Sequence, residues 1–140
     1  MGAVKRAILA LALVALLAGC GKQSYSSKVS AMCEDFAKRE AKIGTPRSPT
    51  ELAARGDRIV AAYDAAILEP LLRTTPPPDD ADAAARLRQI ARRQSDTLRA
   101  LAGAGKRGDV QALRRLAVQN AQLNGQAGDI ARQLGAKSCT

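Results

Sequence analysis

The pattern of apolar and polar residues repeats with a helical period over most of the chain after residue 25. Apolar side chains recur every three or four positions, which is typical of amphipathic α-helices. The clearest stripes are Leu87, Ile90, Leu98 and Leu101 and, further on, Val110, Leu113, Leu116, Leu123, Ile130 and Leu134. No segment alternates between apolar and polar residues as a half-buried strand does. The sequence therefore predicts an all-α fold.

Capping residues, prolines and glycines predict the boundaries of four helices. Ser48, Pro49 and Glu51 form a capping box at the start of helix 2. Pro70 is expected to kink or end that helix, and residues 103–108 are expected to form a turn. The remaining boundary signals are Asp79 or Asp80 before helix 3, Asp109 before helix 4 and Gly135 after it.

These signals place the four helices at about 26–43, 49–72, 80–102 and 110–134. Short connections between amphipathic helices favour antiparallel neighbours. We therefore predict an up-down-up-down four-helix bundle. Its upper end is defined here as the end that carries the turn between helices 3 and 4.

The N-terminal segment has the features of a secretory signal. Lys5 and Arg6 precede an unbroken apolar run over residues 7–17. This run is too short to span a bilayer, which takes about 20 residues as a helix.

The run ends in Leu17-Ala18-Gly19-Cys20, which resembles the lipobox of bacterial lipoproteins at all four positions. The resemblance implies that a signal peptidase reads Leu17, Ala18 and Gly19 and that Cys20 carries the lipid. Residues 1–19 are then the signal peptide, 20–29 a flexible tether and 30–140 the helical domain. We expect a protein anchored to a membrane outside the cytoplasm. Gly21, where Asp favours the inner membrane, indicates the outer membrane in a cell with two membranes, and otherwise the outer face of the cell membrane.

Three cysteines are present, and lipid on Cys20 leaves Cys33 and Cys139. Export places these two where disulfides persist. The start of helix 1 meets the end of helix 4 in an antiparallel bundle, so we predict a Cys33–Cys139 disulfide that closes it. The alternative is a redox or metal-binding pair, which the absence of CxxC spacing and of histidine disfavours.

The disulfide in turn predicts where the bundle is open. Cys33 lies only about ten residues from the upper end of helix 1, whereas helix 4 runs about 25 residues from that end to its last turn. The bridge therefore pulls helix 1 toward the lower end. We expect residues 44–49 to be extended, and a thinly covered groove at the upper end between helices 2 and 4.

Tyr63, Gln94 and Asn120 lie near the centres of their apolar stripes at about one predicted level. Glu40 joins them if the disulfide sets the height of helix 1. One interpretation is a hydrogen-bonded layer that fixes the helix register, because buried polar groups need partners. The other is a pocket for a small polar ligand.

The chain is basic, with a formal net charge of +9. At about 100° per residue, Arg88, Arg92 and Arg99 share one side of helix 3, away from the leucine stripe. Such a face either contacts an acidic surface or is ordinary solvent-facing charge. An exported protein meets little nucleic acid, so the expected partners are the membrane, an envelope protein or an acidic polymer.

Catalytic chemistry has little support in the sequence. The chain contains no histidine and four glutamates, which disfavours haem, di-metal and triad sites. We expect no enzymatic activity, no cofactor and no metal.

The chain also resembles the small Ala/Arg-rich helical lipoproteins of high-GC bacteria, which implies fold and location only. The resemblance rests on Cys33, Pro76-Pro77-Pro78, Gly108-Asp109 and Leu134-Gly135-Ala136 before Cys139. The predicted function is a tethered interaction module of the cell envelope. The alternative is a carrier or sensor of a small ligand held at the polar layer.

Overall fold

The computed structural model describes residues 24–139, and this part of the chain contains four long helices and no strand. The all-α prediction is confirmed. The signal segment, the lipobox and Cys20 lie outside the described residues. The helices are α1 Tyr25–Ile43; α2, which is α-helical over Pro49–Tyr63, π-helical over Asp64–Leu68 and α-helical again over Glu69–Arg73; α3 Ala81–Arg107; and α4 Val110–Gln133. Short 3₁₀ turns lie at Pro78–Asp80 and Lys137–Cys139.

The local signals at the helix starts are confirmed. Ser48 Oγ accepts a hydrogen bond from the backbone N–H of Glu51 at 3.1 Å, and Glu51 Oε2 accepts one from the N–H of Arg47 at 2.7 Å. Asp109 caps α4 by accepting from the N–H of Ala112 at 2.9 Å. These side chains satisfy N–H groups that have no partner within the first turn of a helix.

The tether predicted over 20–29 overlaps helix 1, which was predicted from about residue 26, and the structure agrees with the helix. Ser24 caps α1 by accepting from the N–H of Ser27 at 3.2 Å, and the helix begins at Tyr25. Tyr25 and Val29 are both buried in the core. Their burial extends the folded domain over residues that serine content alone had indicated as flexible.

The turn predicted at 103–108 is also wrong, because α3 continues to Arg107. Only Gly108 leaves the helix, with a φ of 64°. The N–H of Gly108 donates to the carbonyl of Gly105 at 3.1 Å, and the N–H of Asp109 donates to that of Ala104 at 3.0 Å. This is the Schellman arrangement, in which a left-handed residue ends the helix.

Close packing between α2 and α3 explains why the glycine at 105 remains helical. A Cβ placed on Gly56 would lie 2.7 Å from the Cβ of Ala102, and one on Gly105 would lie 3.2 Å from the backbone N of Ala53. Glycine at 56 and 105 therefore lets the two helix backbones approach, and this tertiary packing outweighs the local preference of glycine for turns.

Pro70 does not end α2, which continues to Arg73. The backbone widens into the π-helical segment immediately before it, where the N–H of Glu69 donates to the carbonyl of Asp64. A proline has no N–H and its ring collides with the carbonyl of a regular α-helical turn. A single π turn relieves both problems without breaking the helix.

Neighbouring helices run antiparallel. The facing pairs are Gly56–Ala102 and Leu71–Arg88 between α2 and α3, and Thr97–Gln119 and Arg86–Gln133 between α3 and α4. Helix α3 therefore lies between α2 and α4 and contacts both along most of its length. The 3₁₀ turn Lys137–Cys139 carries the end of the chain back to α1.

The Cys33–Cys139 disulfide is confirmed, with a Cα–Cα distance of 5.3 Å. It joins α1 to the end of the chain at the lower end of the bundle. The main core lies at this end and is built from α1, the end of α2, the start of α3 and the end of α4. Its larger members are Tyr25, Val29, Met32, Leu71, Leu87, Ile90, Leu123, Ile130 and Leu134.

Helix α1 stops short of the upper end, as the disulfide argument predicts. The ring of Phe36 meets the ring of Tyr63 edge-on, with centroids 5.4 Å apart. Seven residues closer to the upper end on each helix, Ile43 of α1 lies near the level of Gly56 of α2. This level is about 10 Å below the start of α2 at Pro49. Residues 44–48 are not helical and connect the two levels.

Candidate functional site

A chain of three polar side chains crosses the interior of the bundle. The hydroxyl of Tyr63 donates to Gln94 Oε1 at 2.7 Å, and Gln94 Nε2 donates to Asn124 Oδ1. Tyr63 and Gln94 are buried, and Asn124 reaches the surface. Sequence analysis predicted that Tyr63 and Gln94 come together, and their hydrogen bond confirms it.

Asn120 and Glu40 are not part of this polar chain, so those two assignments are wrong. Asn124, one helical turn further along α4, takes the place predicted for Asn120. The error follows from the wrongly predicted end of α3. Because α3 extends to Arg107, the residue of α4 that faces Gln94 lies about one helical turn further along α4. Counting outward from Gly108-Asp109, a signal visible in the sequence, gives Asn124 as its partner.

The polar chain separates two spaces inside the bundle. One turn above it, Ile59, Leu98 and Asn120 line an open groove. One turn below it, Ile67, Ala91 and Ala127 line a cavity. Helices α2, α3 and α4 border both spaces, and the Tyr63–Gln94–Asn124 hydrogen bonds form the boundary.

Burial controls the chemistry of Tyr63. Desolvation raises the pKa of its hydroxyl well above the usual value, and the negative charge of Asp64 raises it further. The hydroxyl therefore stays protonated at physiological pH and acts as a donor. Asp64 itself accepts from Ser95 Oγ at 2.5 Å and pairs with Arg99 Nη2 at 2.5 Å.

The structure places the three arginines predicted as a contact face for acidic surfaces in different environments. Arg88 Nε and Nη2 donate to the carbonyls of Leu71 and Thr74 at 3.0 and 2.6 Å, so its guanidinium caps the end of α2. Arg99 pairs with Asp64 and also with Asp96 at 3.3 Å. Arg92 remains exposed beside them. Arg88, and Arg99 through Asp64, are thus held by groups of α2 or its C-terminal end, which only the tertiary structure brings to them.

The groove at the upper end has a volume of about 550 Å³. Its floor is apolar and comes from α2 and α3, and its walls are α4 on one side and the 44–48 connection on the other. The floor and wall residues include Leu52, Gly56, Ile59, Leu98, Leu101, Leu113 and Ala117. The groove lies where sequence analysis predicted thin coverage between α2 and α4.

Charged side chains line the edges of this groove. Arg47 lies at the edge formed by the connection, Arg114 lies at the edge formed by α4, and Glu40 lies toward the lower end. The guanidinium groups of Arg47 and Arg114 form no hydrogen bond or ion pair with any residue of the described part. Neither arginine stands out in the sequence, because no local pattern shows which charged residues border a groove between helices.

The cavity at the lower end has a volume of about 280 Å³ and lies between α1 and α4. Its walls are mainly apolar side chains of all four helices, and the disulfide covers one side. Tyr63, Gln94 and Asn124 form its upper boundary. This is the arrangement in which a small ligand could lie beside the polar residues.

Comparison with known proteins returned no match to a family model, to a curated protein or to a solved structure. Within residues 24–139, no helix has both the length and the apolar composition required to cross a membrane. The same residues contain no group of three or more cysteine and acidic side chains placed to hold a metal ion.

Proposed function

We propose that this protein is an exported, lipid-anchored interaction module of the cell envelope, and that it binds an amphipathic helix of an envelope protein in the groove at the upper end. The proposed anchor is Cys20, supported by the lipobox-like residues 17–20. The Cys33–Cys139 disulfide supports export, because such bonds persist in oxidising compartments.

The observation that best supports this proposal is the open apolar groove. In the lower half, α1 covers the space between α2 and α4, whereas in the upper half no described helix covers it. Leucine side chains of α2, α3 and α4 remain partly exposed there, at positions 52, 98, 101 and 113. An apolar strip of this kind marks an interaction site when it is concave and edged by polar groups.

The dimensions of the groove suit a short helix. The groove runs along Pro49 to Ile59 on α2 and along Val110 to Asn120 on α4, which is about 15 Å, or three helical turns, on each. A helix that lies there completes the bundle in the upper half. Recognition of an amphipathic helix by an apolar groove uses side chains at intervals of three and four residues.

The charges at the edges select the partner. Arg47 and Arg114 lie on opposite edges and have no partner for their guanidinium groups among residues 24–139, so the bound helix is expected to carry acidic residues beside its apolar face. An acidic polymer satisfies the arginines but has no apolar face for the leucines. The groove therefore favours a protein helix.

Site-specific photo-crosslinking in living cells tests this proposal. A photoreactive residue replaces Val110, which is 47% exposed and lines the groove, or Val118, which is 60% exposed on the same helix outside it. We expect Val110 to cross-link to one protein, through a peptide that has a helical apolar stripe and acidic neighbours. We expect no such product from Val118.

Charge reversal provides the second arm of the test. Arg114→Glu is expected to reduce the cross-link at position 110 by roughly two- to fivefold, the effect of losing a partly exposed ion pair. Arg115→Glu is the control, because Arg115 is exposed on the same helix but does not line the groove. Equal cross-linking at 110 and 118, equal effects of the two reversals, or a product containing only polymer would contradict the proposal.

A further inference from the structure

We propose that the cavity beneath the polar chain is a second binding site, for a small uncharged molecule that is mainly apolar and carries one hydrogen-bonding group. This site is separate from the groove and does not depend on the function proposed for it. A single-ring aromatic alcohol or a medium-chain alcohol has the required chemistry.

The size of the cavity sets the size of the ligand. At about 280 Å³ it is roughly twice the volume of an engineered apolar cavity that binds benzene, which is about 150 Å³. It also approaches the lower limit of natural ligand pockets, about 300 Å³. A benzene ring with a short substituent fits within this volume.

The walls determine that the ligand is apolar over most of its surface. They include Val29, Met32, Phe36, Ile67, Leu71 and Leu87. Side chains with no partner atoms on one side forfeit dispersion contacts, so an apolar molecule in this space restores packing that the protein alone does not make.

The absence of charge excludes an ionised ligand. Among the described residues that line the cavity, none is charged. A carboxylate or ammonium group placed there loses its hydration without gaining a counter-charge, which is strongly unfavourable.

The polar chain provides one place for a hydroxyl group. The Tyr63 hydroxyl donates to Gln94, which leaves its oxygen free to accept, and the Gln94 amide has a second N–H beyond the one used for Asn124. A ligand hydroxyl at the upper boundary can therefore donate to Tyr63 or accept from Gln94. Tyr63, Gln94 and Asn124 already hydrogen-bond one another. A ligand hydroxyl therefore adds one hydrogen bond, and the polar chain is complete without it.

The opening lies between α1 and α4. Asn124, Gly128 and Ser138 line the cavity and are exposed or partly exposed, so a small molecule reaches the interior past them. Ser138 is held to α1 through its hydroxyl, which hydrogen-bonds Glu34 Oε1 at 2.7 Å, and Cys139 through the disulfide. Reduction of the disulfide releases this wall, so we expect ligand binding to require the oxidised protein.

Methyl NMR on the full chain with Cys20→Ser, oxidised and in solution, tests the proposal. The substitution removes the lipid site and leaves every described residue unchanged. Met32 lines the cavity, and Met1 is the only other methionine, so the Met32 methyl resonance reports occupancy directly. The probes are toluene, benzyl alcohol and benzoate, which share a ring and differ in polarity and charge.

We expect benzyl alcohol to shift the Met32 resonance saturably and to bind several-fold more tightly than toluene. Benzoate is expected to leave the resonance unchanged. Ala127→Leu places a larger side chain at the cavity wall and is expected to weaken the binding of benzyl alcohol at least tenfold. Ala91→Leu is a second variant that fills the cavity in the same way. Ala121→Leu, exposed on α4 and outside the cavity, is the matched control and is expected to bind as the parent does.

Three results would each overturn the proposal. These are an unchanged Met32 resonance at saturating benzyl alcohol, equal binding of benzoate, and unchanged affinity in both Ala91→Leu and Ala127→Leu when these variants retain their fold by circular dichroism. Equal affinity before and after reduction of the disulfide would overturn the assignment of Ser138 and Cys139 as a required wall.

Discussion

The two ends of the bundle are held together in different ways. At the lower end four helices surround the core, yet they leave a cavity of about 280 Å³, and a disulfide ties the outer wall in place. At the upper end three of the described helices are present, and small residues bring the backbones of α2 and α3 close together. The end with more helices is thus the one that contains a cavity, and the end with fewer helices has the closest approach of two backbones.

The comparison also shows what each end is suited to do. A cross-link holds α1 across an incompletely filled space, so the lower end can keep a cavity that packing alone would collapse. Close contact between α2 and α3 stabilises the upper end without a fourth helix, so its apolar floor can remain accessible. An unfilled interior and an open surface are thus tolerated for separate reasons.

The largest expected effect comes from removing the cross-link. The double substitution Cys33→Ser with Cys139→Ser frees a chain loop with a sequence separation of 106, and the chain-entropy model gives a loss of about 4–5 kcal/mol in the free energy of unfolding. Urea unfolding measures this loss. Hydrogen exchange should accelerate most in α1, because α1 depends on the bridge more than the α2–α3 contact does.

Cys20→Ser is the control for the double substitution, because it leaves the bridge intact. A loss of protection that is uniform over α1 and the upper parts of α2 and α3 would show that the two ends are not held independently.

The next effect comes from separating α2 and α3 at the upper end. In Gly56→Leu the new side chain collides with Ala102, whose Cβ lies 2.7 Å from the position of a Cβ on Gly56. We expect a loss of about 1–3 kcal/mol, the usual cost of overpacking. Urea unfolding measures it, and exchange of α1 amides next to the disulfide should change less than that of α2.

Gly125→Ala is the matched glycine control. Nothing lies within 4 Å of a Cβ at Gly125, so the substitution should stabilise the exposed helix by about 0.5–1 kcal/mol through helix propensity alone. If Gly56→Leu were as well tolerated as Gly125→Ala, close backbone contact would not be what stabilises the upper end.

The smallest effect concerns the boundary between the two ends. Tyr63→Phe removes the hydrogen bond to Gln94 and is expected to cost about 1 kcal/mol at neutral pH. Because the pKa of Tyr63 is raised on folding, the folded state keeps the proton to a higher pH than the unfolded state. The stability linked to Tyr63 is therefore complete below about pH 10 and is lost as pH rises above it.

Urea unfolding at pH 8 and pH 11 measures this dependence, which should be shallower in Tyr63→Phe. Tyr25→Phe is the control: burial also raises the pKa of Tyr25, but its buried hydroxyl has no hydrogen-bond partner among the described residues. Its removal should cost little at pH 8 while also reducing the loss at pH 11. Equal costs of the two substitutions at pH 8 would contradict a stabilising role for the Tyr63–Gln94 bond.

Local signals predicted the features that depend on neighbouring residues. Ser48, Asp109 and Gly135 mark helix ends through hydrogen bonds and backbone angles within one turn, and the structure has helix ends at each. The disulfide and the groove could also be predicted, because helix length and the positions of the two cysteines constrain them jointly.

Features that depend on contacts between helices could not be predicted in the same way. Gly105 remains helical because α2 packs against it, and the resulting shift of one turn exchanged Asn120 for Asn124 in the polar chain. Arg88 binds carbonyls at the end of a different helix, so spacing along α3 gave no sign of its partner. Each error arose where a tertiary contact outweighed a local preference.

The early start of α1 has a consequence for orientation. With the proposed lipid on Cys20, only residues 21–23 separate the anchor from Ser24, and four extended residue steps reach at most about 14 Å. The disulfide end would then rest close to the bilayer surface. The 27-residue α3 spans about 40 Å between the two ends of the bundle, so the groove would lie at the end distant from the anchoring membrane, within reach of molecules that do not touch that membrane.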